Sequence, residues 1–252
     1  MIIHPEAKIG DNVEIGPYSI VGQGVNIGDG TWIGPHVVIK GQTFIGKDNR
    51  IFQFSSIGDD PQDKKYSGET DSVLYIGDRN TIREFCTINR GTSGGGGTTR
   101  VGDDNWIMAY VHIAHDCMVG DHNVFANNTT MAGHVTVDSH VILGGFTGIH
   151  QFCRIGKHSF SAISSVIVKD VPPYLMVAGN TATPNGLNRE GLKRLGLTQP
   201  RIDQLRKAYR ILYRDGLLLK DAIEKLDELA MESVEVAALA EFIKASARGI
   251  VR

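Results

Sequence analysis

The chain has 252 residues, 41% of them hydrophobic and 21% charged, and its 26 Lys and Arg against 28 Asp and Glu leave a formal net charge of -2. That length buries a core without disulfide or metal staples, and the balanced charge provides no global basic field for nucleic acid, so a charged partner would be met by a local patch. No run of 18 apolar residues occurs, so no segment reads as a membrane-spanning helix. The start, Met1-Ile2-Ile3-His4-Pro5, lacks the basic and apolar blocks of a secretory signal, and a cytoplasmic protein is expected. Cys86, Cys117 and Cys153 are odd in number and form no C-x-x-C, which predicts buried free thiols rather than disulfides or a zinc knuckle.

Gly 30 beside only 7% aromatics suggests many tight turns at regular intervals. The interval is six residues. Ile3, Ile9, Ile15, Val21, Ile27, Ile33, Ile39, Ile45, Ile51 and Ile57 follow without a break, then Ile76, Ile82 and Ile88, then every sixth residue from Val101 to Ile167, with Ser161 the one polar member. Glycine follows the aliphatic residue in about half of these hexads, where a turn disfavours a Cβ. Six is neither a helical period nor simple alternation, but it fits one short strand plus one turn. Three such units close a triangular coil, and stacked coils advance by about 4.8 Å each. Two polar, glycine-bearing insertions, 58–75 and 89–100, interrupt the register, and loops on a rigid scaffold tend to carry binding groups. Val171-Pro172-Pro173-Tyr174 is expected to end strand pairing, because proline cannot donate to the ladder. Thr198-Gln199-Pro200 then opens a helix carrying Ile202, Leu205, Ala208, Tyr209 and Leu212 at helical spacing, and Leu217 to Leu229 and Val234 to Ser246 read as two more. The expected organisation is a β domain over 1–189 and a small helical domain over 190–252.

The chemistry concentrates in Val111-His112-Ile113-Ala114-His115-Asp116-Cys117. An H-x-x-H-D cluster permits a histidine general base with an acidic orienting partner, or part of a metal site. Counting three hexads onward puts Gly133 over His115 and His134 over Asp116, each within about 5 Å along the stack. A base, a carboxylate and a backbone N–H suited to an oxyanion can therefore meet at one corner. The plainer alternative makes these histidines solvated turn residues, as is expected of His36, His122 and His140.

The hexads resemble the left-handed parallel β-helix of the hexapeptide-repeat acyltransferases. HIAHDC, AGH at 132–134, HQFC at 150–153, DVPPY at 170–174 and N-x-E-G-L-K-R at 188–194 more closely resemble the UDP-N-acetylglucosamine acyltransferases of lipid A biosynthesis, over nearly the whole chain. That resemblance implies a mainly β fold with a helical tail. It also implies transfer of a 3-hydroxyacyl chain from acyl carrier protein to the sugar 3-position, without cofactor or metal. His115 would be the general base, Asp116 its orienting partner and Gly133 the oxyanion donor. His112, His134, His150, Gln151, Gln62, Asp63 and Lys65 match positions lining the sugar and acyl sites. Asn188, Glu190 and Arg194 match positions near the nucleotide, with Lys65 and Arg194 suited to a pyrophosphate. Ile163 would face the acyl groove, where long-chain enzymes tend to have glycine. One departure is Leu195, where the family often has a second arginine.

The resemblance further implies a homotrimer with sites between subunits. It also gives a role to the basic stretch from Arg189 to Arg214, as a docking surface for the acidic carrier protein. Two other enzymes share the fold: a sugar-nucleotide N-acyltransferase, which carries an N-terminal uridine-binding domain for which hexads starting at Ile3 leave no room, and a γ-type zinc carbonic anhydrase. A non-catalytic solenoid would leave the histidine–aspartate cluster unexplained.

Overall fold

The computed structural model describes residues 1–68 and 71–252; positions 69 and 70 of the first insertion lie outside the described residues. The hexads build a parallel β-helix with three flat faces, whose sheets contain nine, eight and ten strands among the described residues. Each regular strand is two residues long and ends on the aliphatic member of its hexad, as in Ile20–Val21 and Val38–Ile39. Partners are one coil apart, with Val21 against Ile39 and Ile113 against Met131. The aliphatic residues point inward and form a continuous column, in which Ile33, Ile39, Ile51, Ile57, Ile82, Ile88, Ile107 and Ile113 are fully buried. Ser161 is also buried, and its hydroxyl is satisfied by Thr147 Oγ1 at 2.8 Å and the Gly144 N–H at 3.1 Å.

The corners place non-glycine residues in the left-handed region, which costs about 1 to 2 kcal/mol each. Stacking offsets part of that cost. Tyr18, His36, Phe54, Phe85 and Tyr110 have φ between 56° and 64° and form a ladder along one edge, with ring centroids 4.8–5.2 Å apart. His122, His140 and His158 form a second ladder, with centroids 4.8 Å apart, that ends on Tyr174. These corner histidines are therefore stacked rather than merely solvated. Inside the coil, Asn49, Asn80, Asn105 and Asn123 each accept the backbone N–H of the next coil through Oδ1, at 2.7–2.9 Å.

Strand pairing runs into both insertions. Ser56–Asp59 and Val73–Ile76 flank the first, and Thr87–Asn89 and Thr98–Val101 flank the second, so less chain leaves the coil than the polar stretches suggest. Arg90 ties the first insertion down, bonding to the Gly58 carbonyl, the Asp60 carboxylate, Ser72 Oγ and Tyr66 Oη.

The prolines do not end the sheet. They occupy a corner, and Leu175–Ala178 then pairs in parallel with Phe160–Ser161 before Thr183–Leu187 folds back antiparallel. A turn needs no ladder N–H from those positions, which is why proline is tolerated there. Four helices follow: α1 (Arg189–Arg194), α2 (Gln199–Tyr213), α3 (Leu219–Ala230) and α4 (Val234–Lys244). The tail returns to the last coil, where Asp170 takes a hydrogen bond from Ser246 at 2.6 Å and Arg154 lies over the Phe242 ring at 4.5 Å. Cys86, Cys117 and Cys153 are free and buried. Among the described residues no helix is long and apolar enough to cross a membrane.

Candidate active site

Both insertions leave the helix at the corner between the first and second faces, because each runs from a first-face strand to a second-face strand. His112 and Ile113 form the first-face strand one coil beyond the second insertion, and His115 and Asp116 turn the same corner. The second insertion therefore packs against the histidine–aspartate segment, and the described part of the first is tied to it through Arg90.

His115 Nδ1 lies 2.8 Å from Asp116 Oδ2. The Asp116 side chain is 1% exposed and accepts two more bonds, from Thr92 Oγ1 at 2.7 Å and from the Thr92 backbone N–H at 3.0 Å. An ionised carboxylate only accepts, so Nδ1 carries the proton and the lone pair lies on Nε2. That nitrogen faces Gly133: a Cβ built there would stand 2.7 Å from Nε2 and 2.5 Å from Cε1, so the imidazole rests on bare backbone. Among the described residues the Gly133 N–H has no backbone partner. His134 meets the His115 ring edge-on at 5.2 Å and stacks on Phe152 at 4.5 Å. Gly95, in the second insertion, roofs the Asp116 carboxylate so closely that a Cβ there would overlap it. Burial pushes the Cys117 thiol up to about 12, which leaves it neutral and outside the chemistry.

His115, Asp116 and His134 place their ligand-capable atoms within 4.8 Å of one another. Both carboxylate oxygens, however, already accept N–H or O–H donors. The donor set therefore fits an oriented base better than a ligand cage.

The other candidates divide between corners. On the first face His112 Nδ1 pairs with Thr87 Oγ1 at 2.7 Å, and burial, with His115 nearby, holds its imidazole below the usual histidine range. Gln151 lies one coil above Gly133 and His150 precedes it, both exposed at the same corner. Gln62 and Lys65 are exposed in the first insertion, where Asp63 Oδ1 accepts the Lys65 N–H at 2.9 Å and shapes the loop. Asn188, Glu190 and Arg194 lie elsewhere. Asn188 caps α1 and donates to the His158 carbonyl at 2.9 Å, Arg194 lines a pocket with His122, His140 and His158, and Glu190 pairs with Lys193 at 3.0 Å. That is the corner between the second and third faces. Ile163, 70% exposed, occupies the remaining corner over Gly145. One chain thus gathers His115, Asp116 and the bare Gly133, and leaves the Asn188 group and Ile163 on other edges.

A family described as UDP N-acetylglucosamine O-acyltransferase, domain 2, matches residues 170–251, and the bacterial transferase hexapeptide repeat matches 6–41 and 98–133. The acyl-[acyl-carrier-protein]--UDP-N-acetylglucosamine O-acyltransferase of Thiobacillus denitrificans is 58% identical over 251 residues, covering 100% of this chain and 97% of that protein. Its counterpart from Stenotrophomonas maltophilia is 53% identical, covering 100% of this chain and 95% of the relative. This chain belongs to the UDP-N-acetylglucosamine O-acyltransferase family. Among solved members, the Francisella novicida acyltransferase superposes with a TM-score of 0.97 at 46% identity, covering 100% of this chain and 92% of that one. The Acinetobacter baumannii structure gives 0.97 at 47%, covering 100% and 97%.

Within this acyltransferase fold, Leu195, the noted departure from a second arginine, lines the same pocket as Arg194 and adds an apolar side chain to it. Sequence reasoning missed Thr92 and Gly95, which bracket the Asp116 carboxylate, Thr99, whose Oγ1 accepts the Asp116 N–H at 2.8 Å, and Thr87 beneath His112. The segment Asn89-Arg90-Gly91-Thr92 carried one signal, a polar insertion in an otherwise regular coil.

Proposed function

We propose that this chain transfers a 3-hydroxyacyl group from the thioester of acyl carrier protein to the 3-hydroxyl of UDP-N-acetylglucosamine, the first step of lipid A biosynthesis, with His115 as general base. The observation that carries the proposal is the His115 ring, tied through Nδ1 to Asp116 and presenting Nε2 against the bare backbone of Gly133. It occurs in a chain alignable end to end with relatives bearing that enzyme name.

Nε2 takes the proton of the sugar hydroxyl as its oxygen attacks the thioester carbonyl carbon. The developing oxyanion is met by the Gly133 N–H. Collapse breaks the C–S bond, and the imidazolium returns its proton to the departing thiolate. Asp116 keeps the ring oriented and stabilises the imidazolium. His112, His134, His150, Gln151, Gln62, Asp63 and Lys65 hold the sugar and acyl ends, and Asn188, Glu190 and Arg194 hold the nucleotide.

Because these two groups occupy different corners of one chain, a complete site forms between neighbouring subunits of a homotrimer, with Ile163 approaching the acyl groove from a third edge. The β-helix, 1–189, supplies the chemistry. The helical unit, 190–252, receives the acidic carrier on the exposed face of α2 and its C-terminal end, where Arg206, Lys207 and Arg210 and the capping Arg214 are exposed. The enzyme works in the cytoplasm, without a cofactor.

Mass spectrometry of the product formed from UDP-N-acetylglucosamine and a mixed pool of acyl carrier protein thioesters tests the reaction. An O-acylated nucleotide sugar is expected. Its absence with every donor overturns the reading, and a stoichiometric zinc requirement turns it to the carbonic anhydrase alternative. His115→Ala lowers kcat by at least about 100-fold with little change in KM. Near-normal kcat removes His115 from the role of base.

A further inference from the structure

We propose that Thr92 is a positioning residue of the catalytic dyad, holding the Asp116 carboxylate in the one orientation that presents Oδ2 to His115. The proposal rests on the general-base reading of His115. Thr92 is 8% exposed and grips both carboxylate oxygens, its hydroxyl donating to Oδ2 at 2.7 Å and its backbone N–H donating to Oδ1 at 3.0 Å.

The insertion around it is folded to deliver those two donors. Gly91 is packed so tightly that a Cβ would strike the Thr98 backbone nitrogen. The Thr92 carbonyl accepts the N–H groups of Gly95 at 2.9 Å and Gly97 at 2.8 Å, closing the 3-10 turn Ser93–Gly95. A threonine before a helical turn ordinarily caps it with its own side chain. Thr92 makes no such cap and turns its hydroxyl to Asp116 instead. Thr99, across the loop, accepts the Asp116 backbone N–H at 2.8 Å, so the same insertion holds the aspartate by main chain and side chain together.

The dyad requires this because the terminal torsion of an aspartate is broad, and a single bond to His115 leaves the carboxylate plane free to rock. Donors on both oxygens remove that freedom. A base displaced by about 1 Å from its working position loses of order 100-fold in rate, so a rocking carboxylate would be felt at Nε2. The hydroxyl also spends its only proton on Oδ2, leaving His115 as the other donor to that oxygen.

The test is a double-mutant cycle on the full-length enzyme, reading kcat and KM for both substrates. Thr92→Val keeps the shape and the backbone N–H and deletes the hydroxyl. It should lower kcat roughly 10-fold, the scale of one hydrogen bond to a charged group, with each KM changed by less than about 2-fold. Thr92→Ser should recover most of that loss. In an Asp116→Ala background, Thr92→Val should change kcat by less than about 2-fold, because no carboxylate remains to be held. If Thr92→Val fails to fold, Thr92→Ser against Thr92→Ala makes the same comparison. Near-normal kcat in Thr92→Val, or an equal fold-loss with and without Asp116, overturns the proposal and makes Thr92 a loop-folding residue. His115→Ala separates the two layers: an inactive His115 variant beside a normal Thr92→Val removes only the positioning role, whereas an active His115 variant removes the base itself.

Discussion

Replacing Gly133 by alanine isolates the contact on which the site is built. The glycine is not in the left-handed region, so alanine meets no backbone strain, and the whole effect comes from one methyl group. That methyl would stand 2.5 Å from Cε1 and 2.7 Å from Nε2 of His115, about 1 Å inside ordinary contact. The ring cannot retreat toward Asp116, which already holds Nδ1 at 2.8 Å and is itself held by Thr92. It must swing outward and surrender that bond, or the coil must open. Overpacking of this kind costs about 1 to 3 kcal/mol, which for a chain of this size lowers Tm by several degrees without preventing folding. Catalysis should suffer far more, because the methyl displaces the base by about 1 Å and crowds the approach to the oxyanion N–H. We expect kcat to fall at least about 100-fold, with folding intact by circular dichroism and KM for the nucleotide sugar nearly unchanged. A Gly133→Ala enzyme with kcat within about 3-fold of wild type would refute both the contact and the role of the N–H.

Asp116→Ala should cost less than His115→Ala, since it removes orientation rather than the base; equal losses in steady-state kcat would place Asp116 in the proton transfer itself. Lys207→Glu should raise KM for acyl carrier protein and flatten its salt dependence while leaving the nucleotide sugar unaffected. It is the cleanest of the basic variants, because Arg206 is bridged to Asp203 at 2.6 Å and Arg210 to Asp215 at 3.3 Å; equal loss for both substrates would assign the patch elsewhere. Ile163 lies about 2.7 coils beyond His115, or roughly 13 Å along the axis, which an extended acyl chain reaches near its tenth carbon at about 1.3 Å per methylene. Competition among ten-, twelve- and fourteen-carbon donors should show a wild-type preference for roughly ten to twelve, shifted toward fourteen by Ile163→Gly; a wild-type preference for fourteen would show that Ile163 does not end the groove. Burial first, then His140 and Lys157, lowers the His158 imidazole to about 4. The folded chain therefore binds fewer protons than the unfolded one between about pH 6.5 and 4, and stability present above that window is lost as pH falls through it. His158→Phe, which keeps the stack, should flatten the loss of denaturation midpoint between pH 7 and 5, and an unchanged slope would contradict the burial.

The β-helix was legible from the sequence because its core depends on a repeated local unit. One inward aliphatic side chain every six residues specifies strand, turn and coil together, and no long-range pairing has to be guessed. For the same reason the meeting of His115 with Gly133 could be counted: no insertion lies between them, so the coil alone sets their distance. Leu217 to Leu229 and Val234 to Ser246 were read as helices close to the observed Leu219–Ala230 and Val234–Lys244, since each carries a full apolar stripe. The six-residue helix Arg189–Arg194 was not read as one, because it is too short for periodicity to appear. Pro172 and Pro173 misled because a proline forbids a ladder bond only where one is needed, and whether it lies on a face or at a corner depends on how the coil closes.

Tertiary structure alone decided what surrounds His115 and Asp116. Thr92 and Gly95 reach Asp116 from an insertion, whose path is set by Arg90, Gly91 and the closing 3-10 turn rather than by any period. It also decided that Asn188 and Arg194 stand beside His158 instead of His115. Residues on different edges of a prism cannot converge within one chain, and that separation follows from three-dimensional closure of the coil, which a linear pattern does not contain.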